Sequence, residues 1–418
     1  MQQDVIASLD FGSKKLSASI AVKNQNDEIE ILGVKSCKSL GIEKGLLKNI
    51  EKCRKTVVAL LKDLEDKTGK NTKNISIGIS ARKVRITEVT ISTILEEKVT
   101  KEDIANVLSM GKKSVTISSD ETIVDVLINF YILDGKVIHK DILNWKGVNL
   151  EVNLTLVIAE KKEIDKYYEL FNETKYKIEF IKLNILAGKQ IFLNEKNSIG
   201  DIALIDVGAA DIDIAIFNNG IPKNIASIPL GGNNISNDLA ICGDISFSEA
   251  ENLKKIYSSN YKSIYEDDSI NDEIKVGTTK VSKELFYKVT NARIEEILNH
   301  INMELKKTGH YDRICSIILY GDGLSYFEDI NEIVGNIFEV KAKIINKSDL
   351  GIKNSENITS LAIAKEVYDR LNLLGDNSKI LTSDSLEKKK VIETENVDND
   401  ESKNHILKKF KDFFEKIF

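Results

Sequence analysis

Two stretches of the 418-residue chain end an apolar run on an aspartate with glycine two residues later: VIASLDFGSKKLSASIAV (5–22) and ALIDVGAADIDIAIF (203–217). In each, strand, turn and alternating second strand follow one another, with Asp10-x-Gly12 and Asp206-x-Gly208 at the bends. Glycine at such a turn admits positive φ and lets backbone N–H groups approach phosphate oxygens without a Cβ between them. A carboxylate beside it suits a hydrated Mg²⁺, or a water aimed at a terminal phosphate. One Asp-x-Gly turn is an ordinary hairpin, but two opening matched halves point to a phosphate clamp. The buried run SIILY leads into Gly321-Asp322-Gly323, a third glycine turn suited to a purine lying against bare backbone.

The elements that must position these turns form an α/β pattern. The first half reads strand, turn, strand, a third strand in EIEILGVKSCKS, a helix over 49–68 and a buried strand in NISIGIS. From 83 to 160 the pattern becomes strand, helix, strand, strand, with Thr100 as N-cap and Asp103 at its third position. A helix near 161–174, the strand KIEFIKLN and a helix over 186–193 return to the first unit. The second half repeats the opening hairpin and continues through IPLGGNNISNDLAI. It goes on with helices over 246–257 and 282–306 around a weakly patterned stretch to 276, and ends on a helix within SENITSLAIAKEVYDR. The expected division is 1–82 with 161–200, an insertion at 83–160, a second domain at 201–372, a linker at 373–403 and a terminal helix at 404–418. Duplicated halves with a cleft between them make a natural ligand site.

Composition narrows the class. A length of 418 residues implies more than one core, 42% hydrophobic and 30% charged residues describe a globular chain, and a net charge of −6 argues against a nucleic-acid partner. No apolar run reaches membrane-spanning length, and the opening MQQDVIASLD lacks the pattern of a signal peptide, so a cytosolic location is expected. The four cysteines stand far apart and read as reduced thiols rather than a metal cluster. Residues 375–405 are polar, with eight Asp or Glu against five Lys, and read as a disordered linker. In NHILKKFKDFFEKIF (404–418), Ile406, Phe410, Phe413, Phe414 and Ile417 share one helical face, widened by Leu407 and Phe418. The opposite face carries net +2. Such a helix is too short to span a bilayer and suits its interface, especially on anionic lipid.

The order of DFGSKKL, DVGAADID, IPLGGNNISNDLA and YGDG resembles the actin, Hsp70 and sugar-kinase superfamily. More narrowly, GIEKGLLKNIEKC, SIGIS, TKEDIANVL, FYILDG and GVNLEVNLTLVIA are similar to landmarks of the FtsA family over about residues 5–370 and the tail. The resemblance implies two actin-like (ribonuclease H-like) domains around a nucleotide cleft, with a βαββ insertion in place of an actin subdomain. It implies ATP and Mg²⁺ held by Asp10 (through water), Gly12, Ser13, Lys14 and Lys15 on one side. On the other side it implies Asp206, Gly208, Ala209, Ala210 and Asp211, with Gly231, Gly232, Asn233, Gly321, Asp322 and Gly323 completing the cleft. Arg293, with Glu296, falls where the family has cleft-side residues, and Asp10 and Asp206 are the catalytic candidates. It further implies a cell-division protein that forms filaments on the cytoplasmic face of the membrane at the division site. There it would bind anionic lipid, the tubulin-like protein FtsZ and other division proteins.

The chain departs from the family pattern in its second loop, where Ala209, Ala210 and Asp211 replace glycines and a threonine, and at Asp322 in the adenosine motif. A carboxylate at 211 repels phosphate unless Mg²⁺ or Lys15 offsets it. The expectation is therefore ATP binding with at most weak hydrolysis. A PilM-like pilus-assembly scaffold shares the insertion, but the terminal helix disfavours it. A small-metabolite kinase has no use for either feature.

Overall fold

A computed structural model describes residues 5–193, 200–269, 271–327, 330–345, 357–375 and 377. The terminal stripe at Ile406, Leu407, Phe410, Phe413, Phe414, Ile417 and Phe418 lies outside the described residues, as does nearly all of the expected linker.

Both halves build a five-stranded sheet of identical topology. In the first, Val5–Phe11 pairs antiparallel with Lys15–Lys23, which pairs with Ile29–Lys38. On its other side Val5–Phe11 lies parallel to Asn74–Ile79, and Lys177–Leu183 completes the edge. In the second, Asp201–Val207 pairs with Ile212–Asn218 and then Ile221–Ile228, and lies parallel to Ile314–Tyr320, with Ala342–Ile344 at the edge. The duplication expected from the two Asp-x-Gly turns is thus a duplication of whole sheets. Ile221–Ile228 is not evident in the sequence because Pro222 interrupts it. An edge position tolerates the missing N–H.

The alternation of Ser17, Ser19 and Ala21 with Leu16, Ala18, Ile20 and Val22 separates the two faces of the first sheet. Leu16, Ala18 and Ile20 pack with Val57, Leu61 and Leu64 of the helix Ile50–Thr68, which Asn49 caps by accepting from the Lys52 N–H. The small serines face the helix Ile358–Leu374: Ser8 Oγ donates to the Ser360 carbonyl at 2.6 Å, and Ser17 Oγ to Ser360 Oγ at 2.9 Å. Chain order and packing part company here. Ile358–Leu374 follows the second sheet in sequence, yet its Ala362, Ile363, Ala364 and Val367 are buried with Ile6, Ala21 and Phe180 of the first. Conversely, Asn184–Phe192 follows the first sheet and sets Leu186 and Phe192 against Leu204, Ala215 and Phe217 of the second. The helix Ile358–Leu374 also runs into the expected linker, and Leu374 is fully buried in the insertion's core.

The insertion is a sheet in the order Val84–Ile94, Asn149–Glu160, Glu121–Leu133, Lys136–Ile138, backed by the helix Lys101–Ser114. The short strand Lys136–Ile138 is additional to the expected βαββ pattern. The anticipated cap is present: Thr100 and Asp103 bond each other's backbone N–H groups. The stretch before Val276 holds a short helix, Tyr261–Glu266, and the hairpin Glu273–Val276 with Thr279–Ser282.

Candidate functional site

The two aspartate turns meet. A cavity of about 120 Å³ between the sheets is lined by Asp10, Gly12, Ser13, Lys14 and Lys15 from one side and by Asp206, Gly208, Ala209, Asp211, Gly321 and Asp322 from the other. The turns are built alike. A Cβ on Gly12 would stand 2.7 Å from the Lys15 carbonyl, and one on Gly208 2.8 Å from the Asp211 carbonyl. Asp10 stands opposite Ser17 and beside Gly78, whereas Asp206 stands opposite Asp213 and beside Tyr320. The second sheet therefore brings one more carboxylate, Asp213, and the Tyr320 phenol where the first has Gly78.

Other expected residues support the loops from behind. Gly323 N–H donates to the Val207 carbonyl at 2.7 Å, Gly232 N–H to Gly208 at 3.0 Å and Asn233 N–H to Ala209 at 2.7 Å. Gly321, at φ +100°, lies so close to Asp206 that a Cβ would collide with its Oδ1. Gly231, Gly232 and Gly323 are buried against the 207–209 backbone rather than lining the cavity. Ala210 and Asn233 line a neighbouring hollow with Lys44, Lys48 and Arg82. Arg293 is engaged with Asp238 and Glu296 and does not line the cavity.

The charge balance is unusual. Asp10, Asp206, Asp211, Asp213 and Asp322 converge, and Lys15 reaches Asp322 Oδ2 at 3.0 Å. Burial, only partly offset by Lys15 and by the Asn184 amide that donates to Asp10 Oδ1 at 2.8 Å, raises Asp10 to about 7. Burial and Asp211 raise Asp213 to about 7, although Ser80 Oγ and the Ala81 N–H both donate to it. Burial, then Asp213 and Asp10, push Asp206 well above the carboxylate range. Groups held partly protonated at neutral pH are poised to take a cation or a hydrogen bond.

Besides the bonds of Ser80 and Ala81 to Asp213, three side-chain contacts cross the cleft among the described residues. Ser13 Oγ donates to Asp211 Oδ1 at 2.9 Å, Lys15 pairs with Asp322, and Lys14 pairs with Glu251. Glu251 also accepts from Ser236 Oγ at 2.6 Å and lies 2.7 Å from Lys254, which donates to the Gly232 carbonyl. Despite its burial, Lys254, Lys14 and Ser236 hold Glu251 at about 2. The Ser13 and Lys15 groups expected to meet phosphate oxygens thus bond carboxylates of the opposite lobe.

Asn184, Ser80, Phe192 and Tyr320 line the cavity without having been singled out in the sequence. The signal is positional. Ser80 and Asn184 directly follow the parallel strands Asn74–Ile79 and Lys177–Leu183, and Tyr320 closes Ile314–Tyr320. In open α/β sheets, ligands bind beyond the carboxyl ends of such strands.

Comparison with known proteins decides the family. The model described as cell division protein FtsA matches residues 203–362, and the SHS2 domain inserted in FtsA matches 82–158, together more than half of the chain. The chain belongs to the FtsA family. It is 26% identical over 353 residues to the cell division protein FtsA of Borreliella burgdorferi, covering 82% of this chain and 85% of that one. It is 25% identical over 368 residues to that of Bacillus subtilis, covering 86% and 82%. Among solved structures, the PilM-PilN type IV pilus biogenesis complex aligns with a TM-score of 0.57 at 11% identity, over 87% of this chain and 98% of that one. That likeness concerns the fold alone, and the duplicated actin-like architecture expected from the sequence stands. The insertion of this FtsA-family chain coincides with the second matched segment, which fixes it as the SHS2 unit.

Proposed function

We propose that this cell-division protein takes Mg²⁺–ATP between its two sheets, is tethered to the cytoplasmic membrane face by 404–418, assembles with copies of itself and captures FtsZ. Family membership supports the division role. The observation that carries the nucleotide part is the meeting of Asp10 and Asp206 on one cavity floor, with glycine backbones packed where a Cβ would obstruct.

The residues fit Mg²⁺–nucleotide in kind. Bound Mg²⁺ would supply the positive charge that five aspartates outnumbering two lysines lack. Asp10 and Asp206 would hold it or its water, the Gly12 and Gly208 turns would present N–H groups to phosphate, and Lys15, released from Asp322, would face a phosphate oxygen. About 120 Å³ is below the range of small-ligand sites, so the lobes must part to admit a nucleotide. Asp211 stands where a hydroxyl would favour phosphate, which makes the protein a nucleotide-responsive scaffold rather than a rapid ATPase.

The test is Mg²⁺–ATP binding and phosphate release, measured beside Asp206→Ala. Saturable binding that the variant weakens about tenfold or more, with release no faster from the natural chain than from the variant, is expected. Absence of binding at millimolar Mg²⁺–ATP would overturn the nucleotide reading. Release well above the variant's would overturn the scaffold reading.

A further inference from the structure

The far end of the insertion, where residues 94–99, 133–137 and 144–149 meet, carries four large apolar side chains in water. Ile94 is 77% exposed, Val148 59%, Val137 52% and Trp145 37%. They lie on backbone locked together. The Leu95 N–H donates to the Val148 carbonyl at 2.8 Å and the Val99 N–H to that of Trp145 at 2.9 Å. Asp134 accepts from the Val148 and Asn149 N–H groups. Lysines surround them: Lys140 stands 5.0 Å over the Trp145 ring, and Lys98, Lys136 and Lys146 are exposed. Single exposed apolar residues need no explanation, but four at one end of a sheet do.

The helix Ile358–Leu374 finishes at the same end of the insertion. Lys101 Nζ donates to the Asn372 carbonyl at 2.9 Å, Leu374 is buried in the insertion core, and Gly375 abuts Lys101. Lys101 is two residues from Val99, the bonding partner of Trp145. In the sequence, 28 residues (376–403) lie between this helix end and the amphipathic segment 404–418. The segment proposed to lie on the bilayer is thus joined to the chain at the end of the insertion that carries Trp145.

We propose that this end of the insertion is a second membrane-contact surface, seating Ile94, Val137, Trp145 and Val148 in the headgroup region of the bilayer on which the tail lies. It rests on the membrane tether proposed above. Lys98, Lys101, Lys136, Lys140 and Lys146 face Glu96, Glu97, Asp134 and Asp141, a local balance of only +1. Apolar insertion, not charge, must then supply the affinity, and tryptophan suits that depth because its ring is apolar and its N–H wet. Two contacts on one molecule orient it where a tail alone would let it tumble, and the second acts at high effective concentration once the first is made.

Trp145 is the sole tryptophan of the chain, so its fluorescence reports on this surface alone. The full chain is mixed with phosphatidylcholine vesicles, with and without phosphatidylglycerol and with brominated lipid, and both co-sedimentation and Trp145 emission are read. A blue shift with bromine quenching is expected. The paired variant Ile94→Glu/Val148→Glu abolishes the quenching and weakens vesicle affinity about tenfold while keeping the thermal transition. Co-sedimentation with unchanged Trp145 emission overturns the proposal and leaves the tail in place. No co-sedimentation overturns both. A blue shift that follows protein concentration without bromine quenching assigns the surface to a second copy of the chain, and likewise overturns it.

Discussion

Asp10 sits where folding and ligand binding pull against each other. Its carboxyl is raised to about 7 by burial, against about 3.9 in an unfolded chain. A group raised in the folded state stabilises below its unfolded value, and that stability is lost as pH climbs through the folded value. The ligand-free protein should thus weaken between about pH 4 and pH 7, by a few kcal/mol at about 1.4 kcal/mol per unit. Glu251, depressed to about 2, loses its contribution only as pH falls below the ordinary glutamate range, outside that window. Asp10→Asn should therefore melt a few degrees above the natural chain at pH 8 and level with it near pH 4, while binding Mg²⁺–nucleotide more weakly. Scanning calorimetry at the two pH values checks it, and an equal difference at both would show that ionisation of Asp10 carries no strain. The Asp-x-Gly pair was legible in the sequence because a turn and its carboxylate are local. The partners Asn184 and Ser80 were not, since each is an unremarkable polar residue until a parallel strand delivers it to the floor.

At the scale of elements, most helices were legible because cap and apolar period agree. Asn49, Thr100, Ser246 and Ser282 each cap the helix that follows. What the sequence could not disclose was which sheet a helix covers, since Ile358–Leu374 and Asn184–Phe192 are apolar enough for either. Ile363 is fully buried against the first sheet, and the Gly78 backbone lies close beneath it. Ile363→Ala should destabilise the first lobe by about 2–5 kcal/mol, read as an earlier urea midpoint with the slope unchanged. A loss below about 1 kcal/mol would mean that the helix is loosely docked. Among the strands missed, Ile221–Ile228 carries a proline, Lys136–Ile138 and Ala342–Ile344 are three residues long, and all three lie at sheet edges.

For the whole molecule, the closed cleft is the state to be displaced. Ser13–Asp211, Lys15–Asp322 and Lys14–Glu251 span it, and contacts of this partly exposed kind contribute up to about 1 kcal/mol each. A nucleotide can therefore replace them readily. Small-angle scattering should show a larger radius of gyration when Mg²⁺–ATP is added, and Lys14→Ala should shift the free protein in the same direction. An identical radius in all three samples would mean that the lobes do not part.

The exchange of helices between sheets has a consequence for biosynthesis. When the ribosome has finished residues 5–193, one face of the first sheet is still bare, because the serine-lined surface must wait for Ile358–Leu374. The amino-terminal lobe is consequently the first to be made and the last to be finished. A chain truncated ahead of that helix should emerge as a sticky, chaperone-bound fragment, and adding the missing helix as a separate peptide should release it.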